Sequence, residues 1–289
     1  MDLALALFAN ILIPGALFAL VAAGYTLVAR TTHIPHLAHG GVVLTSAYVF
    51  AAFVPERGLL IAGFLALMSS ILLGLGCFFV YEQLRFHRSL STSSMLMCAL
   101  SLLLIIQNGL LICFGSSTLT RPVLRGHLMN FGPIRWSVLD LTTLILSTVL
   151  LVGLVWWLRR SRLGTAIRAV GDQETVAEIV GISASWVREL VFVIASALGA
   201  VAGMLYVGEY GLEPSMATTI AIRMFFRASA GGIGSIAGAI VGSMTQETVM
   251  QLTSWFVSPG WMDAAGFVFV LLVLLIRPDG IISKNTRDV

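Results

Sequence analysis

Apolar runs of about twenty residues recur along almost the whole chain, and no other feature constrains its fold as strongly. The first extends from Leu3 to Ala29, and spans are nominated near residues 5–28, 37–54, 59–80, 95–114, 138–158, 187–208, 236–256 and 262–276. A mean hydropathy of +0.96, with 58% hydrophobic and 11% charged residues, exceeds what one water-soluble core can bury. Lipid must therefore be the main solvent. In lipid every backbone polar group has to be satisfied internally, so spans are helices or strands of a closed barrel. These runs lack the alternation of barrel strands, which predicts an all-α polytopic membrane protein: one transmembrane domain, 1–289, with about eight or nine transmembrane helices. The opening run is too long for the apolar part of a signal peptide and follows Asp2 rather than basic residues, so a retained span is expected. Cys77, Cys98 and Cys113 lie inside apolar runs and read as packing residues.

Charge in the connections sets the orientation. With the loop 159–186 placed in the cytoplasm, that side collects Arg30, Arg85, Arg88, Arg159, Arg160, Arg162, Arg168, Arg188, Arg277, Lys284 and Arg287. The other side holds Arg57, Arg121, Arg125 and Arg135. Positive residues concentrate on the cytoplasmic side, which puts the N-terminus outside and the C-terminus inside. Residues 216–256 must then cross an even number of times. Two crossings joined at "GGIGS", 231–235, would meet this, the first being a short or broken helix. "THIPHLAHGG", 32–41, is a second interruption, with Pro35 and a glycine pair ahead of the next span.

Interrupted segments survive in membranes where they line a cavity or pack against protein. His36, His39, Gly40, Gly231, Gly232 and Gly234 are therefore candidates for a translocation path. Each break precedes a small-residue helix, so the two read as related positions of an internal repeat. Arg223 and Arg227 stand one helical turn apart in an apolar run, where a charge costs about 2.5–3.5 kcal/mol at mid-membrane. They either snorkel to the interface or serve the pathway, and Arg223 joins the path candidates. Gln107 with Asn108 and Gln246 with Glu247 read as interhelical hydrogen-bond partners, with pore lining as the alternative. Ala195, Gly199 and Gly203 form one small-residue row, and Gly234, Gly238 and Gly242 another. Such rows let helix backbones approach closely. His33, His36 and His39 do not suggest a metal site, because Pro35 breaks the helix that their spacing would need.

One segment is conspicuously hydrophilic: "RLGTAIRAVGDQETVAEIVGIS", Arg162 to Ser183. Gly171 and Gly181 punctuate it into two short helices, with Asp172 as a cap for the second and Gly181 as the left-handed residue past its end. Val176, Ala177, Ile179 and Val180 make an apolar strip, while Gln173, Glu174 and Glu178 remain polar. The pair either lies on the membrane surface or docks into a groove of a soluble partner. A P-loop needs Gly-x-x-x-x-Gly-Lys, and the one lysine, Lys284, follows Ser283. This chain has no P-loop, so any ATP-driven work is expected to come from a partner, and neither an enzymatic activity nor a cofactor of its own is expected.

The segment "SRLGTAIRAVGDQETVAEIVGIS" resembles the cytoplasmic loop of permease subunits in bacterial ATP-binding-cassette importers of the branched-chain amino acid type, which include urea and amide permeases. "HLAHGGVVLTSAY" (36–48), "ASAGGIGSIAGAIVGS" (228–243) and "FVFVLLVLLIRPDGII" (267–282) resemble further stretches of that family, in the same order. The resemblance implies that Gly164, Arg168, Ala169, Ala177, Glu178 and Gly181 belong to a loop that couples to an ATPase, and that the two glycine-containing breaks line the path. It implies as partners two cytoplasmic ATP-binding subunits, a second permease that is identical or paralogous, an extracytoplasmic solute-binding protein and the lipid of a bacterial inner membrane, with no nucleic acid. His36 stands where the family usually has Asn, Gly41 where it has an acid, and Arg223 where it has Lys, so a different small polar solute is compatible with the pattern. The alternative is a self-sufficient secondary transporter or channel, with Glu247 or a histidine carrying a proton.

Overall fold

The structure is a computed structural model that describes residues 2–87, 92–119, 128–131 and 134–282. The charges counted above at Arg88, Arg121, Arg125, Lys284 and Arg287 lie outside those residues. The elements in order are α1 (Asp2–Thr32), α2 (His39–His87), α3 (Thr92–Phe114), β1 (Leu128–Phe131), β2 (Ile134–Ser137), α4 (Val138–Arg160), α5 (Arg162–Asp172), α6 (Glu174–Ile179), α7 (Ala184–Glu209), α8 (Met216–Gly231), α9 (Ile236–Phe256) and α10 (Met262–Ile276).

Two of the nominated spans fall within α2, which is not one rod. At Gly58 the backbone leaves the helical region (φ 76, ψ 171). Beyond it the chain runs back on itself: the Ser70 hydroxyl donates to the Val42 carbonyl at 3.2 Å. A straight helix would hold those residues about 42 Å apart. The limbs 39–57 and 59–87 are therefore an antiparallel hairpin. Among the described residues six helices are long and apolar enough to span a membrane, and α8 with α9, bent by 112° at the break between them, passes that test only as a pair. With both limbs of α2 counted, the described residues hold seven such spans besides that pair, an odd number that leaves the two ends of the chain on opposite sides when α8 and α9 turn back on one another. The expectation of helices alone omitted the antiparallel pair β1–β2, with Leu128 opposite Ser137. It occupies a connection between spans, where the rule that excludes short sheets from lipid does not apply.

The core forms around α1 and α7, whose spans are 83% and 67% buried, against 11% for α10. Small residues make this possible. A Cβ at Gly199 would sit 3.0 Å from the His39 ring and 3.1 Å from Val43, and one at Gly203 would run into Ser46 and the Val43 carbonyl. The row on α9 does the same against α8, where Gly238 and Gly242 face the backbone of Gly231 and Arg227. Both rows pack inside the subunit. Gly238→Leu is accordingly expected to cost about 1–3 kcal/mol by overpacking. Gel-filtration yield from membranes should fall, and an unchanged yield would show that the contact is dispensable.

The two interruptions sit in different local settings. The first leads into α2, whose Gly40 packs on the α8 backbone: a Cβ there would lie 2.6 Å from the Ala217 carbonyl oxygen and 2.7 Å from the Ala221 nitrogen. The second joins α8 to α9, with Gly232 and Gly234 at positive φ. Hydropathy cannot distinguish a break that begins a helix inside the bundle from one that turns a chain between two helices.

Candidate coupling site and transport path

Ser161 makes the sharp exit from α4. Its amide donates to the Trp157 carbonyl at 2.9 Å, and its hydroxyl accepts from the Gly164 amide at 2.9 Å, so one residue ends α4 and caps α5. Gly164 lies directly on the Leu158 backbone, leaving no room for a side chain. Arg168 turns back toward α4, with Nη1 donating to the Leu158 carbonyl and Nη2 to the Thr165 hydroxyl at 3.1 Å. Ala169 is half-buried. Gly171 is inside α5 rather than between the helices, and the break comes at Gln173. Asp172 does not cap α6; it pairs with Arg30 of α1 at 3.4 Å. Gly181 (φ 86) ends α6 as its place in the sequence predicts, with the Ile182 amide donating to the Ala177 carbonyl at 2.9 Å.

This geometry divides α6 into two faces. Ala177 is buried, whereas Val176, Ile179 and Val180 are 50%, 79% and 68% exposed, with Glu178 and Trp186 beside them in the open. On the inner side Glu174 accepts from Arg85 at 2.8 Å and from Arg188 at 2.5 Å, and Arg188 also donates to Glu82 at 2.6 Å. Partial burial alone would raise the Glu174 carboxyl, but hydrogen bonds from Arg85 and Arg188, together with their charges, outweigh it and hold the group below the ordinary value of 4.5. Sequence reasoning missed this cluster. The available signal was charge at the edges of apolar spans: Glu82 and Arg85 end one span and Arg188 begins another.

The path candidates fall in three places. His36 and His39 are buried near the start of α2, with Tyr81 3.0 Å from His36 Nδ1 and the His39 ring held between Gly24 and Gly199. Gly40 adjoins them. Gly231, Gly232 and Gly234 lie apart, at the turn closed by the chain leaving α10, where the Ile281 and Ile282 amides donate to the Ala230 and Gly231 carbonyls at 2.9 and 3.1 Å. Arg223 is separate again. It meets Asp263 at the start of α10 through two hydrogen bonds, Nε at 2.9 Å and Nη2 at 3.0 Å.

Arg227, one turn further along α8, does not snorkel. It is fully buried (0% exposed) and donates to Glu247 (4%) at 2.5 Å, with its guanidinium 3.8 Å from the centre of the Phe18 ring. Gln251 holds the other Glu247 oxygen at 2.9 Å. Gln107 accepts from Thr218 at 2.6 Å and so links α3 to α8, whereas Asn108 bonds back to Leu104 of its own helix.

A family model described as "Branched-chain amino acid transport system / permease component" matches residues 7–276. The permease protein LivH of the high-affinity branched-chain amino acid transport system of Escherichia coli K12 is 29% identical over 288 residues, which cover 93% of this chain and 92% of that protein. The permease protein BraD of the corresponding Pseudomonas aeruginosa system is 28% identical, covering 95% and 94%. Among solved structures, PsaBC from Streptococcus pneumoniae in complex with Fab superposes with a TM-score of 0.54 over 94% of this chain and 92% of that one, at 13% identity, a likeness of fold. A multi-pass helical bundle with this match over nearly its whole length belongs to the permease component family of branched-chain amino acid transport systems.

Proposed function

We propose that the chain is the membrane subunit of an ATP-driven importer in a bacterial plasma membrane, carrying a branched-chain amino acid or a related small polar solute inward. The reading rests on one observation: α6 presents Val176, Ile179 and Val180 outward while Glu174 ties its inner side to α2 and α7. A surface helix with that division can take a push from a soluble partner and deliver it to two spans. In this reading the loop 159–186 faces the cytoplasm, two ATP-binding subunits supply the hydrolysis, a second permease copy or paralogue completes the path, and an extracytoplasmic protein delivers the solute. Of the two groups on which a proton-driven alternative would lean, Glu247 or a histidine, Glu247 is engaged by Arg227 and Gln251.

The test is Ile179→Asp in the reconstituted complex. A charge placed on the exposed apolar strip should weaken association with the ATP-binding subunits about tenfold, equivalent to about 1.4 kcal/mol, and lower solute uptake to match. The spans should remain inserted, because Ile179 faces away from the bundle. Undiminished association and uptake would leave α6 as a helix resting on the membrane surface.

A further inference from the structure

We infer that Arg223 and Asp263 form a binding site for the zwitterionic head of an α-amino acid, on the side of the bundle away from α5 and α6. The inference rests on the transport reading above and assigns it a recognition site. Arg223 and Arg227 occupy one face of α8, and both guanidiniums approach Phe18 of α1. Phe18 is twelve residues, about 18 Å of helix, from Arg30, which touches α5. The two arginines are not alike. The Arg227–Glu247 pair is closed off, whereas Asp263 is 63% exposed and Arg223 24%. Arg223 spends Nε and Nη2 on Asp263 and leaves Nη1 without a hydrogen bond among the described residues.

An α-amino acid carries a carboxylate and an ammonium on one carbon. Entering between Arg223 and Asp263, it breaks one ion pair and makes two: carboxylate to guanidinium, ammonium to carboxylate. Neither protein charge is then stranded. An anion alone would leave Asp263 unpaired beside a second negative group, and a cation alone would strand Arg223, so charge balance selects zwitterions over singly charged analogues. The planar fork of arginine suits a carboxylate in particular. Phe226 and Phe267 lie one turn beyond, three residues from Arg223 and four from Asp263, with ring centres 5.2 Å apart. They offer an apolar shelf at the place a branched side chain would reach.

The experiment uses the full chain in lipid nanodiscs, without ATP-binding subunits, with Cys77, Cys98 and Cys113 replaced by alanine and Ala264→Cys beside the pair. Alkylation of that cysteine is timed with L-leucine, with leucinamide, which lacks the carboxylate, and with 4-methylpentanoate, which lacks the ammonium. L-Leucine at ten times its half-protecting concentration should slow alkylation about tenfold, and the two analogues should not. R223Q/D263N, checked by gel filtration, should lose the protection. Equal protection by either analogue, retained protection in a folded R223Q/D263N, or no protection by L-leucine would overturn the site. The three-ligand comparison on the native pair requires no change at Arg223 or Asp263. Because no ATPase is present, a failure of ATP coupling leaves this result readable, and loss of protection alongside intact ATP-driven uptake sinks the site alone.

Discussion

Arg227→Met is expected to remove most of the folded protein from the membrane, whereas the same change combined with Glu247→Leu is expected to restore it. Both partners are almost inaccessible, at 0% and 4% exposure, so removing the guanidinium leaves a carboxylate buried with only Gln251 to hold it. Breaking a buried pair from one side costs about 3–5 kcal/mol, a large share of a typical stability of roughly 5–15 kcal/mol. Replacing both members with apolar residues of similar size removes the stranded charge and is often neutral or better. The Phe18 ring, now facing the guanidinium at 3.8 Å, would face a thioether that packs well on aromatics. Thermal stability and gel-filtration yield in detergent provide the measurement. A single variant as stable as the parent would show that Glu247 reaches water without Arg227.

Glu174→Lys is expected to lower uptake by about a hundredfold while the partner ATPase still associates. The substitution puts a third cation beside Arg85 and Arg188 and removes the carboxylate that both donate to. Glu174 makes two charge-assisted hydrogen bonds in a partly buried cluster, each worth about 1.5–3 kcal/mol, and a hundredfold change needs about 2.7 kcal/mol. The docking strip at Val176, Ile179 and Val180 lies on the other face of α6, so contact should persist with little transmission of movement. Glu174→Asp keeps the charge and should retain much of the uptake, which a loss through misfolding alone would not predict. The pH dependence has a definite sign. The folded pKa lies below 4.5, so the tether contributes fully above that value and is lost only as pH falls through the lower folded pKa. Glu174→Gln should therefore weaken coupling at neutral pH, where the wild-type tether is intact. Uptake in Glu174→Lys matching that of wild type would remove the tether from the mechanism.

Much of this was already legible in the residues. Hydropathy determined the class of fold, because about twenty apolar residues in lipid have few alternatives to a helix. The glycines marked their own positions: Gly181 at a left-handed helix end, Gly199, Gly203, Gly238 and Gly242 where backbones close in. These are local or nearest-neighbour constraints, and a sequence states them directly. Tertiary structure alone decided which charges meet. Arg223 finds Asp263 forty residues away, Arg227 finds Glu247 twenty away, and Glu174 finds Arg85 across eighty-nine. It also tied Arg168 to the end of α4, and folded α2 into two limbs at Gly58. The reason is physical: apolar burial is non-directional and additive, so composition predicts it, whereas an ion pair depends on two side chains reaching one point, and that point exists only once the helices have packed.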